Sequence, residues 1–278
     1  MTDPHELLAV AAGVLDGAVD TFLDGVGAPS AVAKGPRDFA TAVDLELERR
    51  LSGELADHTG IPVHGEEFGG PDLATGTVWV VDPIDGTLNY SSGLPTAGML
   101  VALLQDGDPV LGLTWLPMMN RRYAAAADGP LLCNGEALPR LRSQDLTESM
   151  VGFGAFNLNG RGPIPGEYRV RALAEVSRVC RRLRMHGSTG ADLAFTAAGV
   201  LGAAVVYGHH PWDNAPGVAL VRAAGGVVTD LAGEPWHLGS RSVLAAAPGV
   251  HEQMMNILVP LGDPGDYRDG GSREGSAT

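Results

Sequence analysis

The sequence predicts a mixed α/β (α+β) protein, in which an antiparallel-sheet domain at residues 1–140 precedes a smaller mixed-sheet α/β domain at 141–262. In the first half, apolar segments typical of strands are joined by tight turns and accompanied by two amphipathic helices. After about residue 140, segments typical of strands and helices alternate. The chain has 278 residues, 45% of them hydrophobic, which is enough for a core in one or two domains.

The first predicted helix begins at Pro4. Asp3 precedes it as an N-cap, proline suits the first helical position, and Glu6 is placed as a capping-box acid. Apolar residues then recur at helical spacing as far as Phe22. A loop rich in glycine and proline follows, and it contains Lys34.

A second helix is predicted to begin near Thr41, where Thr41 and Asp44 have the spacing of a capping pair. Its apolar residues recur every four positions up to Leu55. The other elements predicted in the first half are strands: a short one in 61–70 that runs into a glycine-rich acidic turn, an interior one at 77–81, a hairpin of 98–104 and 110–115, and one around 122–127.

The second half alternates between the two periodicities. The elements predicted there are a strand at 149–155, a loop at 157–166, a helix at 166–180, a helix from about 190, a strand at 202–207, a helix at 213–224 and a strand at 226–229. Residues 263–278 have no apolar periodicity and are predicted to be a disordered tail.

The charge and the cysteines restrict the partners and the compartment. The formal net charge is −14, so no basic surface for nucleic acid is expected. No apolar run approaches the roughly 20 residues that span a bilayer, and the N-terminus lacks the features of a signal peptide. Cys133 and Cys180 have no metal-ligand spacing and are predicted to be free thiols. We therefore expect a cytoplasmic protein without a nucleic-acid or membrane partner.

Two carboxylates follow the interior strand in the segment VWVVDPIDGTLNY. Asp82 and Asp85 are three residues apart, and the strand is expected to end at Pro83, which cannot donate to a sheet ladder. Carboxylates brought together in a turn repel one another unless a cation lies between them. A hard divalent cation prefers such oxygens, and the backbone carbonyl of Ile84 could add another.

The residues after this turn suggest an anion site. Gly86 and Thr87 open a short predicted helix, and free N–H groups at a helix start bind phosphate. A plainer interpretation stays open from these residues alone, namely an ordinary Asp-Pro turn in which Asp85 caps the helix.

Four further acids have ordinary explanations when each is taken singly. Glu66 and Glu67 precede a glycine pair in a predicted turn, Asp213 lies at a strand-to-helix junction, and Asp44 is a capping acid. They strengthen the metal hypothesis only if they converge in space with the Asp-Pro turn.

Several motifs together resemble the inositol monophosphatase family of magnesium-dependent sugar and polyol phosphatases. They are KGPRDFATAVD at 34–44, GEE at 65–67, DPIDGT at 82–87, WD at 212–213 and RAAGG at 222–226, and the resemblance covers about residues 5–258. The character of the chain suggests an actinobacterial member. The fold that this resemblance implies is a layered α-β-α-β-α sandwich.

The resemblance also implies roles for matching residues. Two or three Mg²⁺ ions would be held by Glu66, Asp82, Asp85, Asp213 and the carbonyl of Ile84. Thr87 with Asp44 would orient the attacking water, which Glu66 would also contact. Substrate contacts would come from Gly86, Thr87 and Asp213, and from Lys34 in a loop that closes over the site. A homodimer and inhibition by Li⁺ are expected on the same ground.

The substrate is less closely defined. Ser188 and Thr189 in HGSTGAD match the region that borders the sugar or polyol, but they are equally suited to capping a helix. Animal relatives that act on inositol carry a glutamate where this chain has Val206. Inositol 1-phosphate is the leading substrate, and fructose 1,6-bisphosphate and histidinol phosphate stay open.

Two other functions are less favoured. A nucleotide such as 3′-phosphoadenosine 5′-phosphate would need extra basic or aromatic contacts, of which the sequence shows no obvious set. A non-catalytic metal-binding protein would be expected to lack Thr87, Asp44 or a ligand, and all are present. His64, His209 and His210 are interpreted as packing residues or as residues that support the metal ligands without binding the ion, because hard Mg²⁺ prefers oxygen ligands.

Overall fold

The computed structural model describes residues 3–35, 38–158 and 163–267. The helices in these ranges are α1 (Pro4–Asp24), α2 (Ala42–Thr59), α3 (Thr87–Ser91), α4 (Gly166–Ser177), α5 (Thr189–Ala197), α6 (Pro211–Ala223) and α7 (Val250–Leu258). The strands are β1 (Ser30–Gly35), β2 (Asp38–Thr41), β3 (Val63–Gly65), β4 (Thr77–Asp85), β5 (Gly98–Gln105), β6 (Asp108–Leu116), β7 (Arg121–Ala126), β8 (Leu132–Cys133), β9 (Glu136–Ala137), β10 (Met150–Phe153), β11 (Arg182–Arg184), β12 (Ala203–Val206), β13 (Val227–Thr229) and β14 (Val243–Ala246).

Two sheets organise the described part of the chain. The larger has the order β3-β4-β5-β6-β7-β8-β9 and is antiparallel except for the β3–β4 pair. The smaller has the order β11-β10-β12-β14-β13, in which β10 runs parallel to both neighbours and β14 antiparallel to both of its own. A separate hairpin joins β1 to β2. One sheet is thus largely antiparallel and the other mixed.

Three layers of helices alternate with the two sheets. Helices α1 and α2 pack on one face of the larger sheet, where Leu51 and Trp79 share a buried cluster. Helices α5 and α6 lie between the sheets, because Leu193 and Leu220 share a second cluster with residues of β4 and β12. Helices α4 and α7 cover the far face of the smaller sheet through Tyr168 and its neighbours. This order of layers confirms the predicted mixed α/β sandwich.

The strand β4 differs from its prediction at its end. It continues through Pro83 to Asp85, whereas we expected the proline to end it. The pairing with β5 passes from Asp82 opposite Leu100 to Asp85 opposite Gly98, so three steps on β4 match two on β5. This bulge places the proline, which has no N–H, where the ladder is interrupted, while Asp82 and Asp85 on either side of it remain paired with β5.

Local sequence signals located the first two helices well. Asp3 Oδ1 accepts a hydrogen bond from His5 N at 3.0 Å, and Thr41 and Asp44 form a complete capping box. The prediction missed β1, β2, β8, β9, β11, β14 and α7. The loop that was expected around Lys34 is the β1–β2 hairpin, whose SAVAKG strand of small residues lacks apolar alternation.

The predicted tail is partly ordered. Residues 264–266 form a single 3-10 turn, and Tyr267 packs edge-on against Tyr168 with ring centroids 5.3 Å apart. The rest of that predicted tail, 268–278, lies outside the described residues, as do 159–162 of the predicted loop. Cys133 and Cys180 are free, as predicted. No helix in the described ranges is long and apolar enough to cross a membrane.

Candidate active site

Three aspartates converge at the end of β4. Asp82 and Asp85 leave the bulged end of the strand buried, with 1% and 6% of their surfaces exposed. Asp213 reaches the same place from the first turn of α6, which begins at Pro211 after the N-cap His210. One carboxylate oxygen from each aspartate lies within 4.8 Å of the others. Such a group of oxygens can hold a hard divalent cation.

The clustered carboxylates resist ionisation together. Burial raises the pKa of Asp82 well above its ordinary value, and the neighbouring charges of Glu66, Asp213 and Asp85 add to the shift. Burial and the charge of Asp85 act in the same direction on the pKa of Asp213. A cation bound among these carboxylates would offset their repulsion and favour their ionised forms.

Asp85 is held by the N-terminus of α5. Its carboxylate accepts hydrogen bonds from Ser188 Oγ, from Thr189 N at 3.1 Å and from Gly190 N at 2.8 Å. Burial raises the pKa of Asp85 to about 6, and these three bonds limit the rise. Ser188 Oγ is also the N-cap of α5, since it accepts a hydrogen bond from Ala191 N at 3.1 Å. In the structure, then, Ser188 caps the helix and orients a candidate ligand.

Lys34 contacts the acidic turn after β3. Its Nζ lies 2.6 Å from Glu66 Oε1 and 2.5 Å from Glu67 Oε1. Burial lowers the pKa of Lys34, but the hydrogen bonds to these two acids outweigh burial and raise the pKa above its ordinary value. Glu66 also lies within hydrogen-bond reach of Asp82. The β1–β2 hairpin is thereby joined to the acidic cluster.

Glu48 binds the backbone of the same acidic turn, a role that the sequence analysis did not predict. This residue of α2 is 1% exposed; its Oε2 accepts a hydrogen bond from Glu67 N at 2.7 Å and its Oε1 accepts one from Phe68 N at 2.8 Å. Burial raises the pKa of Glu48 to about 7, against the effect of those two bonds. One signal was available, because the spacing of Leu47 and Leu51 puts position 48 on the buried side of the helix.

Asp44 and Thr87 face one another at the edge of the cluster. Asp44 Oδ2 accepts hydrogen bonds from Thr41 N at 2.8 Å and Thr41 Oγ1 at 2.5 Å. Thr87 Oγ1 lies 3.5 Å from Asp44 Oδ1 and donates at 3.0 Å to the carbonyl of Ile84. Burial raises the pKa of Asp44. The threonine hydroxyl can therefore donate to either acceptor while its own oxygen accepts from a third group.

Gly86 makes the turn between β4 and α3. Its φ is +79°, and an added Cβ would lie 3.0 Å from the carbonyl oxygen of Thr96. Glycine alone meets both conditions without strain. The N–H groups of Gly86 and Thr87 thus lie immediately after the aspartates, as the sequence predicted.

The candidate residues share one cleft. It has a volume of about 350 Å³, and its lining includes Lys34, Glu66, Asp82, Ile84, Asp85, Gly86, Thr87, Trp212 and Asp213. Of the residues predicted to form the site, Ser188 and Thr189 instead line a neighbouring pocket of about 360 Å³, which shares Asp85, Gly187 and His210 with the cleft. Asp44 is not among the residues that line the cleft, but its carboxylate lies next to the hydroxyl of Thr87, which does line it.

The three histidines stack around Trp212. The ring of His210 lies 4.8 Å from the Trp212 ring, and His209 lies 4.4 Å from His210. His64 lies on Trp212 at 6.1 Å, and its Nδ1 is 2.8 Å from the carbonyl oxygen of Pro71. Among the described residues, no histidine belongs to a group that could hold a metal.

Comparison with known proteins gives one consistent family. The model of the inositol monophosphatase family matches residues 3–261. The inositol-1-monophosphatase ImpA of Mycolicibacterium smegmatis is 56% identical over 268 residues, covering 95% of this chain and 97% of the relative. The probable inositol 1-monophosphatase ImpA of Mycobacterium tuberculosis is 55% identical over 261 residues, covering 94% and 97%.

A solved structure agrees with these relatives. The crystal structure of inositol monophosphatase II from Staphylococcus aureus superposes with a TM-score of 0.78 at 28% identity, covering 93% of this chain and 97% of that one. The fold therefore extends over nearly the whole length of both proteins.

Proposed function

The chain belongs to the inositol monophosphatase family, and we propose that it hydrolyses inositol 1-phosphate to inositol and phosphate with the help of Mg²⁺. Relatives at 56% and 55% identity, named for this activity, support the substrate. The observation that carries the chemistry is the convergence of Asp82, Asp85 and Asp213 within 4.8 Å, beside the hydroxyl of Thr87 in one cleft.

The donor set fits Mg²⁺. It consists of hard oxygens on carboxylates whose burial raises their pKa values, so that bound cations would relieve their repulsion. We propose that Asp82, Asp85, Asp213, Glu66 and the carbonyl of Ile84 hold two or three ions. When bound, such ions neutralise phosphate charge and acidify water.

The protein's own groups would position the reactants. With its proton donated to Asp44, the Thr87 hydroxyl can accept a hydrogen bond from the attacking water, and Glu66, which lines the same cleft, would also contact that water. The N–H groups of Gly86 and Thr87 would bind phosphate oxygens. Lys34 would add positive charge once its contacts with Glu66 and Glu67 open, and Asp213 and the hydroxyl groups of Ser188 and Thr189 would border the polyol.

Assembly and location are also proposed by family resemblance. We expect a cytoplasmic homodimer that Li⁺ inhibits, with the N-terminal unit 1–140 supplying most ligands and the unit 141–262 supplying Asp213. The exposed apolar side chains of Leu94 and Met185, with 52% and 46% of their surfaces accessible, are available for burial in an interface.

One assay tests the proposal. Phosphate release is measured from inositol 1-phosphate, histidinol phosphate and 3′-phosphoadenosine 5′-phosphate, each with Mg²⁺ and with EDTA. We expect release from inositol 1-phosphate with the highest kcat/KM of the three and none in EDTA. Release from none of them would overturn the enzymatic proposal, and a preference for another of them would replace the substrate.

A further inference from the structure

The motif HGSTGAD at 186–192 begins and ends with residues that bind one another. His186 Nδ1 lies 2.5 Å from Asp192 Oδ1, and Asp192 is 1% exposed. Between them, Ser188 and the first residues of α5 supply the three hydrogen bonds that hold Asp85. We propose that His186 and Asp192 are positioning residues for Asp85, because their hydrogen bond fixes the segment that orients this metal ligand. The inference rests on the metal site of the proposed phosphatase.

His186 is held on both its backbone and its ring. Its carbonyl accepts hydrogen bonds from Asn89 Nδ2 at 2.7 Å and from Thr96 Oγ1 at 3.0 Å. Its ring packs edge-on against Phe195 of α5, with centroids 5.5 Å apart. The hydrogen bonds to the carbonyl come from the segment between β4 and β5, whereas the ring contacts α5. His186 therefore ties the start of α5 to the end of the strand that carries Asp85.

The backbone between the two residues is closely packed. Gly187 has a φ of +74°, and an added Cβ there would lie 3.1 Å from Asn89 Nδ2. An added Cβ at Gly190 would lie 3.0 Å from Asp85 Oδ2 and 2.4 Å from Leu100 Cδ2. Because close-packed groups transmit a displacement to their neighbours, a shift of this segment would reach the hydrogen bonds to Asp85.

Asp192 is a buried carboxylate that depends on its partner. Burial raises the pKa of Asp192, and the hydrogen bond and charge of His186 oppose that rise. An added Cβ at Gly152 would lie 2.9 Å from Asp192 Oδ1, so the backbone of β10 also packs against the carboxylate. A buried carboxylate that loses a donor is costly. Loss of the histidine therefore favours a shift of the first turn of α5, whose N–H groups bind Asp85.

Metal binding by variants of the full chain tests the pair. Mn²⁺ takes the same oxygen ligands as Mg²⁺, and the electron paramagnetic resonance signal of free Mn²⁺ gives its Kd without turnover. His186→Phe keeps a ring against Phe195 but removes the donor, so the Kd should rise about tenfold, as for other residues that orient a metal ligand. His186→Asn offers an amide N–H close to the position of Nδ1 and should restore most of the affinity.

A change at the other partner gives the same test without an unpaired charge. Asp192→Leu removes the acceptor and leaves no buried carboxylate, so it should also raise the Kd for Mn²⁺ about tenfold. This variant decides the question if His186→Phe does not fold. The Mg²⁺ concentration for half-maximal activity should rise in parallel in both variants.

A double variant tests the path through Ser188. Ser188→Ala and His186→Phe should each raise the Kd for Mn²⁺ about tenfold. If both act on the orientation of Asp85, the double variant should also stay near a tenfold rise, because coupled residues do not add. A rise of about 100-fold, the product of two independent effects, would overturn the proposed path.

Another partly buried histidine provides the matched control. His251 lies on α7, on the far face of the smaller sheet, and its Nε2 is 2.9 Å from Thr229 Oγ1. His251→Phe also removes a hydrogen bond between side chains, so it should lower the melting temperature while leaving the Kd for Mn²⁺ unchanged. If His186→Phe behaves like His251→Phe, with a lower melting temperature and an unchanged Kd, the pair is structural only and the proposal is overturned.

The two readouts separate this proposal from the phosphatase itself. Phosphate release from inositol 1-phosphate by the wild-type protein reports the catalytic function, whereas the Kd for Mn²⁺ needs no turnover. A raised Kd in His186→Phe without hydrolysis by the wild-type protein would support the positioning pair and overturn the phosphatase. Hydrolysis by the wild-type protein with an unchanged Kd in both His186→Phe and Asp192→Leu would overturn the pair alone. A wild-type protein that binds no Mn²⁺ would overturn the metal site on which both depend.

Discussion

Asp85 at the end of β4 is joined to Ser188 at the start of α5 by a hydrogen bond from Ser188 Oγ to Asp85 Oδ2. Ser188 is 4% exposed, and its hydroxyl also caps α5. The orientation of a candidate metal ligand on the larger sheet therefore depends on a helix that packs between the two sheets. Such outer contacts fix a ligand in the position that a metal requires.

Ser188→Ala should weaken metal binding more than it weakens the fold. Removing the hydroxyl deletes one of three hydrogen bonds to Asp85, so the Mg²⁺ concentration for half-maximal activity should rise about tenfold. Loss of the N-cap should cost about 1 kcal/mol of unfolding free energy. Mg²⁺ titrations and urea melts measure the two effects. Ser177→Ala, which removes an exposed hydroxyl from α4, should change neither, and an unaltered Mg²⁺ requirement in Ser188→Ala would count against this role.

Asp82→Asn should separate function from stability. Turnover should fall at least about 100-fold, because a proposed ligand is lost. In EDTA at pH 7.5, however, the variant should melt at a higher temperature than the wild-type protein, since a buried carboxylate no longer faces Glu66 and Asp213. Melting curves with Mg²⁺ and with EDTA test this, with Asp72→Asn, an exposed site, as the control. A lower melting temperature in EDTA would show that repulsion does not dominate the metal-free site.

Thr87→Ala should lower kcat by about 100-fold with little change in KM. The hydroxyl lies between Asp44 and the carbonyl of Ile84 and is the group proposed to orient water. Thr87→Ser keeps the hydroxyl and should recover most of the activity. Steady-state kinetics at saturating Mg²⁺ measure both variants. If the serine variant were as slow as the alanine variant, the methyl group and its packing would matter instead of the hydroxyl.

Short-range patterns in the sequence were sufficient to predict the elements whose ends and burial depend on neighbouring residues. The capping residues located α1 and α2, and the apolar run 77–81 marked an interior strand whose side chains alternate between the two neighbouring clusters. The convergence of Asp213 with Asp82 and Asp85 depends on how α6 packs across the larger sheet. No local pattern encodes that packing, and only the family resemblance suggested it.

The failures also have physical causes. Proline normally ends a strand, yet Pro83 is accommodated at a bulge that the pairing of β4 with β5 creates. Strand β14 and helix α7 were missed because VLAA is too short to show a period and α7 covers only nine residues. Glu48 was missed because an acid in a charged helix normally faces solvent. Here its carboxylate is buried and accepts hydrogen bonds from two backbone N–H groups of the acidic turn.

Glu48 should make the metal-free protein lose stability as the pH rises. Burial raises the pKa of Glu48 to about 7 in the folded state, from an ordinary value of about 4.3 in the unfolded chain. Its stabilising contribution is therefore complete below about pH 4.3 and is lost as the pH rises to about 7. In EDTA, the decrease in unfolding free energy between pH 5 and 8 should be about 2 kcal/mol smaller in Glu48→Gln than in the wild-type protein. Glu46→Gln, on the exposed side of α2, should retain the full decrease. Equal pH dependence in all three proteins would place the titration on other carboxylates.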